Sequence, residues 1–248
     1  WLFNAGNLFA GNPKWLFVYI NKYRKDLKAV WLCDDDDTVE YINKLGYEAH
    51  NYHSEIAYAY EPKAKVYVVE NVKEVFPARL NPNATILNLF HGVGCKSIER
   101  KVDYGFLFER IAKKYIKNNS RYKNNQLFLV TSPLMEKHFK EQCGIDDDKV
   151  IRAGYPRCEY QKYFEKIKTY NHDILAEKGM PADAKIAVYA PTYRDASPFD
   201  FFGKAIPDMS ALLEKLKENN TLLIFKMHPL MERDSVYVQA VSYTHLTL

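Results

Sequence analysis

The sequence predicts an α/β fold with two halves, and three observations lead to this prediction. Short apolar runs rich in β-branched residues recur along the chain, and segments with helical spacing of apolar residues separate them. Several of these runs end at a turn that contains glycine or proline beside a histidine or a basic residue. With 248 residues, 47% of them hydrophobic, the chain can bury a substantial core in one large or two small domains.

The first half is expected to span residues 1–165. Residues 1–10 are aromatic and are predicted to form a loop. Ser132 and Pro133 are suited to the start of a helix, since serine caps well and proline is tolerated in a first turn. Apolar spacing predicts helices at residues 14–24, 38–45, 54–60, 95–100 continuing through 102–118, and 133–142. Apolar runs predict strands at residues 29–33, 47–52, 65–69, 86–90, 126–131 and 149–153.

The second half is expected to span residues 166–248. A charged helix over residues 159–180 leads into it and ends at Gly179 and Pro181. Two strands, residues 185–189 and 221–227, flank a helix at residues 210–219. The two halves therefore follow the same pattern of strand, helix and strand.

Composition limits the classes of partner. Lys and Arg number 35 against 31 Asp and Glu, a net charge of +4. This excess is too mild to indicate nucleic acid but is compatible with weak attraction to anionic lipid. The four cysteines are scattered without paired spacing, so neither a zinc site nor a disulfide framework is predicted, and a reducing cytoplasm is favoured. No run approaches the ~20 apolar residues of a membrane span.

Two charged segments each allow two interpretations. Four aspartates at residues 34–37 follow a predicted strand, where carboxylates can hold a divalent cation or can form a solvated loop that caps the next helix. The capping interpretation is favoured because the following segments continue as plain βα units. The helix at residues 102–118 has a basic face, which either contacts an anionic surface or is simply solvated. That face consists of Arg110, Lys113, Lys114 and Lys117.

The central motif is TILNLFHGVGCKSIER, residues 85–100, in which a predicted strand runs directly into a glycine-broken turn. Such a turn lies at the carboxyl edge of an open α/β sheet, where ligands of these folds bind. Gly92 and Gly94 let backbone N–H groups approach an oxyanion, and Lys96 adds a positive charge. His91 can accept a proton from a hydroxyl near neutral pH, or it can be a structural histidine in a capped turn.

Other strand ends carry similar residues, in the motifs GYPR, APTYR and KMHP. Arg157 can hold a phosphate or pin a surface turn. Thr192 and Arg194 are either ligands or ordinary turn residues, and His228 is either a functional or a packed histidine. Lys226 adds a positive charge in the second half of the chain. Together they give both halves anion-binding residues at strand ends, as a cleft enzyme acting on a nucleotide diphosphate requires.

The chain resembles the CDP-glycerol glycerophosphotransferase family of teichoic-acid and capsule polymerases. The resemblance lies in four motifs in this order: HG with Lys96, GYPR, APTYR and KMHP. The resemblance covers most of the chain. It implies a GT-B fold, with two Rossmann-like domains facing a cleft, an acceptor side in the first and a donor-nucleotide side in the second. It also implies a bacterial enzyme at the cytoplasmic membrane face that passes a polyol phosphate from CDP-glycerol or CDP-ribitol to a growing polymer.

The resemblance assigns roles to individual residues. His91 matches the general base, and His228 matches the second essential histidine, on the phosphate side of the donor. No metal or cofactor is expected. Two departures stand out: Phe90 replaces the usual Trp, and the family continues beyond its His-Pro motif, so the second domain is expected to be truncated. The residues expected to bind the donor are Gly92, Lys96, Arg157, Thr192, Arg194 and Lys226.

Two other functions remain open on the sequence. A GT-B glycosyltransferase that uses a nucleotide sugar would need the same fold and the same anion-binding residues. A non-catalytic module that binds an anionic polymer would need only the basic surface. Turnover of a CDP-polyol to CMP distinguishes a glycerophosphotransferase from both of these alternatives.

Overall fold

A computed structural model of the protein describes residues 1–71, 77, 79–94, 97–104, 108–109, 126–159, 173–191 and 206–226. The chain divides into two compact units, Trp1–Thr169 and Tyr170–Leu248. The predicted boundary at residue 165 and the roles of the two domains stay predictions. Among the described residues, no helix combines the length and apolar character needed to cross a bilayer.

The first unit contains a seven-stranded sheet in which every neighbouring pair is parallel. Its spatial order is β3-β2-β1-β4-β5-β6-β7, which is the doubly wound arrangement. The strands are β1 (Leu2–Phe3), β2 (Val30–Cys33), β3 (Ala49–Asn51), β4 (Val66–Val69), β5 (Thr85–Asn88), β6 (Gln126–Val130) and β7 (Val150–Arg152). The helices are α1 (Gly11–Tyr23), α2 (Asp36–Lys44), α3 (Glu55–Tyr60) and α4 (Pro133–Cys143).

Strand β2 shows why the sheet is covered on both faces. All four of its residues are buried, as expected for a central parallel strand. Trp31 packs with Phe3 and Phe17 on one face, whereas Leu32 belongs to a separate apolar cluster with Tyr67 on the other. The aromatic rings of Trp31 and Phe17 lie 5.4 Å apart in an edge-to-face arrangement, which favours a single packing of α1 on the sheet.

The prediction of a loop over residues 1–10 is wrong, because Leu2–Phe3 forms β1 in the middle of the sheet. Leu2 pairs with Val30 on one side and with Tyr67 on the other. The strand has only two paired residues, too few to show an alternating or apolar run. Its position is fixed by its two neighbours rather than by local propensity.

Serine side chains cap two helix starts, and the cap at Ser132 confirms the prediction from the sequence. Ser54 caps α3 by accepting a hydrogen bond from the Ala57 N–H, and Ser132 caps α4 through the Met135 N–H. At the other end of α4, Gly144 adopts the left-handed conformation (φ 65°) that commonly ends a helix.

The second unit is described over fewer residues. Both predicted strands are present, as β8 (Lys185–Tyr189) and β9 (Thr221–Phe225), and the structure shows that they form a parallel pair. Helix α6 (Met209–Glu218) connects them and begins at the cap Asp208. Its apolar face packs on Leu223 and Phe225 of β9. A short helix, α5 (Ile174–Glu177), precedes them.

Three predicted helices differ from the structure. Ser97 and Ile98 are not helical, and Glu99–Lys101 forms a single 3₁₀ turn, so the expected helix at 95–100 is wrong. The helix expected to begin at Val102 is helical at residues 108–109, and its basic residues Arg110, Lys113, Lys114 and Lys117 lie outside the described residues. Asp173 is extended and caps α5, which breaks the continuous helix predicted at 159–180.

Candidate functional site

The candidate site lies at the carboxyl edge of the seven-stranded sheet. The strand order reverses between β1 and β4, and ligands of doubly wound sheets bind beside such a switch point. Strand β4 ends there at Val69, followed by Glu70, and the neighbouring β5 ends at Asn88. His91 follows β5 by three residues, so the topology places it at this edge.

The imidazole of His91 is oriented by the end of the neighbouring strand. Its Nδ1 lies 3.2 Å from the backbone oxygen of Glu70. A carbonyl oxygen can only accept a hydrogen bond, so Nδ1 carries the proton and donates it. In a neutral ring Nε2 is then the acceptor. His91 is exposed, and Nε2 is the ring atom suited to take a proton from a bound hydroxyl.

The backbone immediately before His91 is held in an unusual conformation. Phe90 has φ 48°, in the left-handed region that a bulky residue rarely adopts, at a cost of about 1–3 kcal/mol. Its N–H donates to Oδ1 of Asn88 at 2.9 Å, and its carbonyl accepts from Nδ2 of Asn12 at 2.7 Å. Both asparagines are fully buried. The Phe90 ring stacks on the His91 imidazole, with centroids 4.2 Å apart.

The GYPR segment holds the same turn from a second side. The Tyr155 hydroxyl donates to the Gly92 carbonyl at 2.8 Å, and Nη1 of Arg157 donates to the His91 carbonyl at 2.8 Å. Burial raises the pKa of Tyr155, which keeps its hydroxyl protonated as a donor. The Arg157 N–H donates to Oδ1 of Asn12 at 3.3 Å. Two chain segments far apart in sequence therefore meet on the backbone around His91.

Helix α4 supports the turn on its third side. A Cβ atom at Gly94 would lie 2.2 Å from Nε2 of His138, so the turn approaches this ring more closely than any side chain would allow. One helical turn further along, Oε1 of Gln142 accepts a hydrogen bond from the Ile98 N–H at 2.7 Å. The i,i+4 spacing places His138 and Gln142 on one face of α4. That face therefore contacts the backbone that follows His91, at Gly94 and Ile98.

The structure brings three of the predicted site residues together: His91, Gly92 and Arg157. Lys226 is exposed and directly follows β9 in the second unit, where its backbone N–H donates to the Tyr189 carbonyl at 2.9 Å. The helix start that was expected to add positive charge after the turn is absent at Ser97 and Ile98. The other predicted site residues, Lys96, Thr192, Arg194 and His228, lie outside the described residues.

The aspartate run acts as a helix cap. Oδ2 of Asp35 accepts from the Thr38 N–H at 2.9 Å at the start of α2, and these contacts with Thr38 lower the pKa of Asp35. Asp34 lies 3.4 Å from the His53 ring, and Asp36 accepts from the Asn51 amide. Over the described part of the chain, no group of three or more His, Cys, Asp or Glu could hold a metal ion.

Sequence reasoning missed the residues that support the turn, among them Asn88 and Asn12. Asn88 carried a signal: it is a polar residue inside an apolar run two positions before Phe90, the spacing at which an asparagine side chain bonds a backbone N–H. Asn12 carried none, because its partners are Phe90, Leu89 and Arg157, far along the chain.

Comparison with known proteins agrees with this architecture. The sequence profile of the CDP-Glycerol:Poly(glycerophosphate) glycerophosphotransferase family matches residues 2–243. A teichoic acid poly(glycerol phosphate) polymerase of Staphylococcus epidermidis is 22% identical over 237 residues, which cover 92% of this chain and 32% of the relative. An enzyme of the same description from Bacillus spizizenii is 25% identical over 245 residues, covering 93% and 59% respectively.

A solved structure of the wall teichoic acid polymerase TagF superimposes with a TM-score of 0.73 at 21% identity, covering the whole of this chain and 59% of that one. This likeness confirms the predicted GT-B-like α/β fold class. The chain spans between about a third and three fifths of the length of these relatives.

Proposed function

The chain belongs to the CDP-glycerol:poly(glycerophosphate) glycerophosphotransferase family, and from this membership we propose that it transfers a polyol phosphate from a CDP-polyol to the hydroxyl end of a growing teichoic-acid or capsule-like polymer. The donor is CDP-glycerol or CDP-ribitol, and the second product is CMP. The first unit holds the acceptor and the second holds the donor nucleotide.

The proposed step is an in-line displacement at phosphorus. Nε2 of His91 takes the proton from the acceptor hydroxyl as its oxygen attacks the β-phosphorus of the donor. The bond between the β-phosphorus and the bridging oxygen breaks, and CMP leaves with the electron pair. Negative charge accumulates on the equatorial oxygens of the transferred group, where cationic side chains stabilise it.

One observation carries the assignment of His91 as the base. The hydrogen bond from Nδ1 to the Glu70 carbonyl at 3.2 Å leaves Nε2 as the acceptor atom of an exposed ring. A general base needs this tautomer and a ring held in one orientation, as the template of serine hydrolases illustrates. The backbone around His91 is tied to Asn12, Tyr155 and Arg157, which supports a fixed position for the imidazole.

The donor is proposed to be bound by residues of the HG, GYPR, APTYR and KMHP motifs. Gly92 gives the phosphate close access to backbone, and Arg157 contributes a cation beside His91. His228 acts on the phosphate side of the donor, as the family resemblance implies. The remaining residues proposed to bind the donor are Lys96, Thr192, Arg194 and Lys226.

The test is CMP release from CDP-glycerol and CDP-ribitol by the full-length protein carrying His91→Ala. A positioned general base typically contributes 10²–10⁴-fold, so the turnover number should fall by about that factor. The matched control is His53→Ala, which removes an exposed imidazole beyond β3, at the far edge of the same sheet. A folded His91→Ala protein with near-normal release would overturn the base assignment. Turnover of nucleotide sugars in place of CDP-polyols would favour the glycosyltransferase alternative.

We further propose that the enzyme works at the cytoplasmic face of the membrane, bound peripherally to anionic lipid. The support is the net charge of +4 and the run of basic residues near Lys113. Electrostatic attachment of this kind weakens with salt, because exposed charges are screened over about 8–10 Å at physiological ionic strength. Sedimentation with phosphatidylglycerol vesicles should therefore decrease steeply with added salt. Binding that is absent, or equal with neutral vesicles, would contradict this location.

A further inference from the structure

Two buried asparagines fix the strained residue that precedes His91. Phe90 has φ 48°, and its two backbone polar groups are each bonded to an asparagine side chain. Oδ1 of Asn88 accepts from its N–H at 2.9 Å, and Nδ2 of Asn12 donates to its carbonyl at 2.7 Å. Both asparagines have 0% exposure, so water does not compete for these hydrogen bonds.

This pair of bonds determines where the next side chain points. The carbonyl of Phe90 belongs to the peptide plane that leads into His91, and a peptide is planar. The N–H and the carbonyl of Phe90 lie on either side of its Cα atom. Fixing both groups leaves the φ and ψ angles of Phe90 little freedom. The direction of the His91 Cα–Cβ bond follows from that plane. A left-handed bulky residue persists only where its surroundings determine it in this way.

We propose that Asn88 and Asn12 are positioning residues, which hold Phe90 in the left-handed conformation and thereby aim the imidazole of His91. The proposal rests on the proposed role of His91 as the base. Asn12 also accepts from the backbone N–H of Arg157 at 3.3 Å. It therefore ties together the first turn of α1, the end of β5 and the GYPR segment.

The chemistry of each side chain suits its part. Asn88 bonds an N–H two residues ahead, a turn that serine also forms, although more weakly. Its Nδ2 has no hydrogen-bond partner among the described residues, so only the acceptor oxygen is needed. Asn12 uses both ends of its amide, donating to Phe90 and accepting from Arg157. Aspartate would keep the acceptor and lose the donor.

The experiment compares Asn88→Ala with Asn88→Ser in the full-length protein, with Asn81→Ala as the matched control. Near the opposite end of β5, Asn81 likewise accepts from the N–H two residues ahead, that of Asn83, at 3.0 Å, and it also donates to the Ala64 carbonyl at 3.1 Å. Circular dichroism and melting temperature establish that each variant is folded. Asn12→Asp tests the second positioning residue independently, which matters if Asn88→Ala fails to fold.

Two readouts separate positioning from general damage. For Asn88→Ala and Asn12→Asp, we expect kcat for CMP release to fall by about 10–100-fold with KM for CDP-glycerol within about twofold, since misplacement of about 1 Å costs up to 10²-fold. Asn88→Ser should recover most of kcat. In ¹⁵N-histidine-labelled protein, the His91 resonance is identified by its loss in His91→Ala. This resonance should lose the Nδ1–H tautomer preference in Asn88→Ala and in Asn12→Asp, and keep it in Asn81→Ala.

The outcomes also distinguish this proposal from the proposed function. A His91 resonance that is unchanged in both Asn88→Ala and Asn12→Asp overturns the positioning role. A loss of kcat in Asn81→Ala equal to that in Asn88→Ala would also overturn it. Normal CMP release by His91→Ala would remove the base assignment instead. In that case a shifted His91 resonance in Asn88→Ala would still support the geometric part of the inference.

Discussion

Gly94 lies against the ring of His138, and its replacement by alanine tests how tightly α4 holds the turn after His91. The added Cβ would lie 2.2 Å from Nε2 and 2.6 Å from Cδ2 of the imidazole. Ordinary contact distances are about 3.5–4.0 Å, so the turn or the ring must move by about 1 Å. The His138 ring packs edge-to-face against Phe139, a buried residue of the apolar cluster beside α4, with ring centroids 5.1 Å apart.

Two magnitudes follow for Gly94→Ala. Overpacking of this kind costs about 1–3 kcal/mol in unfolding free energy. A shift of about 1 Å in the turn that carries His91 should lower kcat for CMP release by up to about 10²-fold. His138→Ala removes the obstacle, so the double variant should recover much of both losses. The coupling energy between the two sites should be about 0.5–3 kcal/mol.

The assay is urea unfolding together with CMP release, measured for both single variants and the double variant. Gly154→Ala is the control for stability, because its Cβ would meet only the Glu159 side chain at 3.4 Å. If Gly94→Ala lowers the unfolding free energy and kcat equally with and without the His138 ring, the two residues are uncoupled. That result would refute the proposal that α4 holds the turn through His138.

Three further predictions concern stability. Asp35→Ala should lower the melting temperature by a few degrees because the Thr38 N–H loses its cap, whereas Asp35→Asn should not; equal losses would contradict the capping role. Hydrogen bonds, chiefly from Arg152, lower the pKa of Glu136 to about 2. Glu136→Gln should therefore be less stable than wild type at pH 7, and urea titrations should show this gap narrowing as pH falls from about 4.5 toward 2. Phe128→Ala, at a fully buried position, should cost about 3–5 kcal/mol in the same titration, and a loss below 1 kcal/mol would contradict its core position.

Much of the fold could be predicted from the sequence because its strands and helices carry local signals. The strand at β4 is a β-branched run, and Ser54 and Ser132 mark helix starts that the structure contains. Strand β1 could not be found in this way, since two residues show no period. Its place depends on pairing with Val30 and Tyr67, which is a tertiary effect.

The candidate site divides in the same manner. His91 could be identified because a short apolar run ending in a glycine turn is a local pattern. Its long-range supports could not, because Asn12 and Tyr155 contact the turn across many residues of chain. The geometry that makes Nε2 the acceptor depends on the Glu70 carbonyl, and a backbone atom leaves no trace in side-chain pattern.

The central position of Leu2–Phe3 has a consequence for the order of folding. These residues pair with Val30 and Trp31 on one side, but their other partners, Tyr67 and Val68, leave the ribosome much later. Until then one edge of β1 stays unpaired, and closing the sheet around it requires a long loop whose entropy opposes the contact. Strand β1 therefore gains its second neighbour only after β4 has been synthesised. During that interval the open edge of β1 presents unpaired backbone N–H and C=O groups to other strands, and a chaperone that covers this edge would prevent wrong pairing.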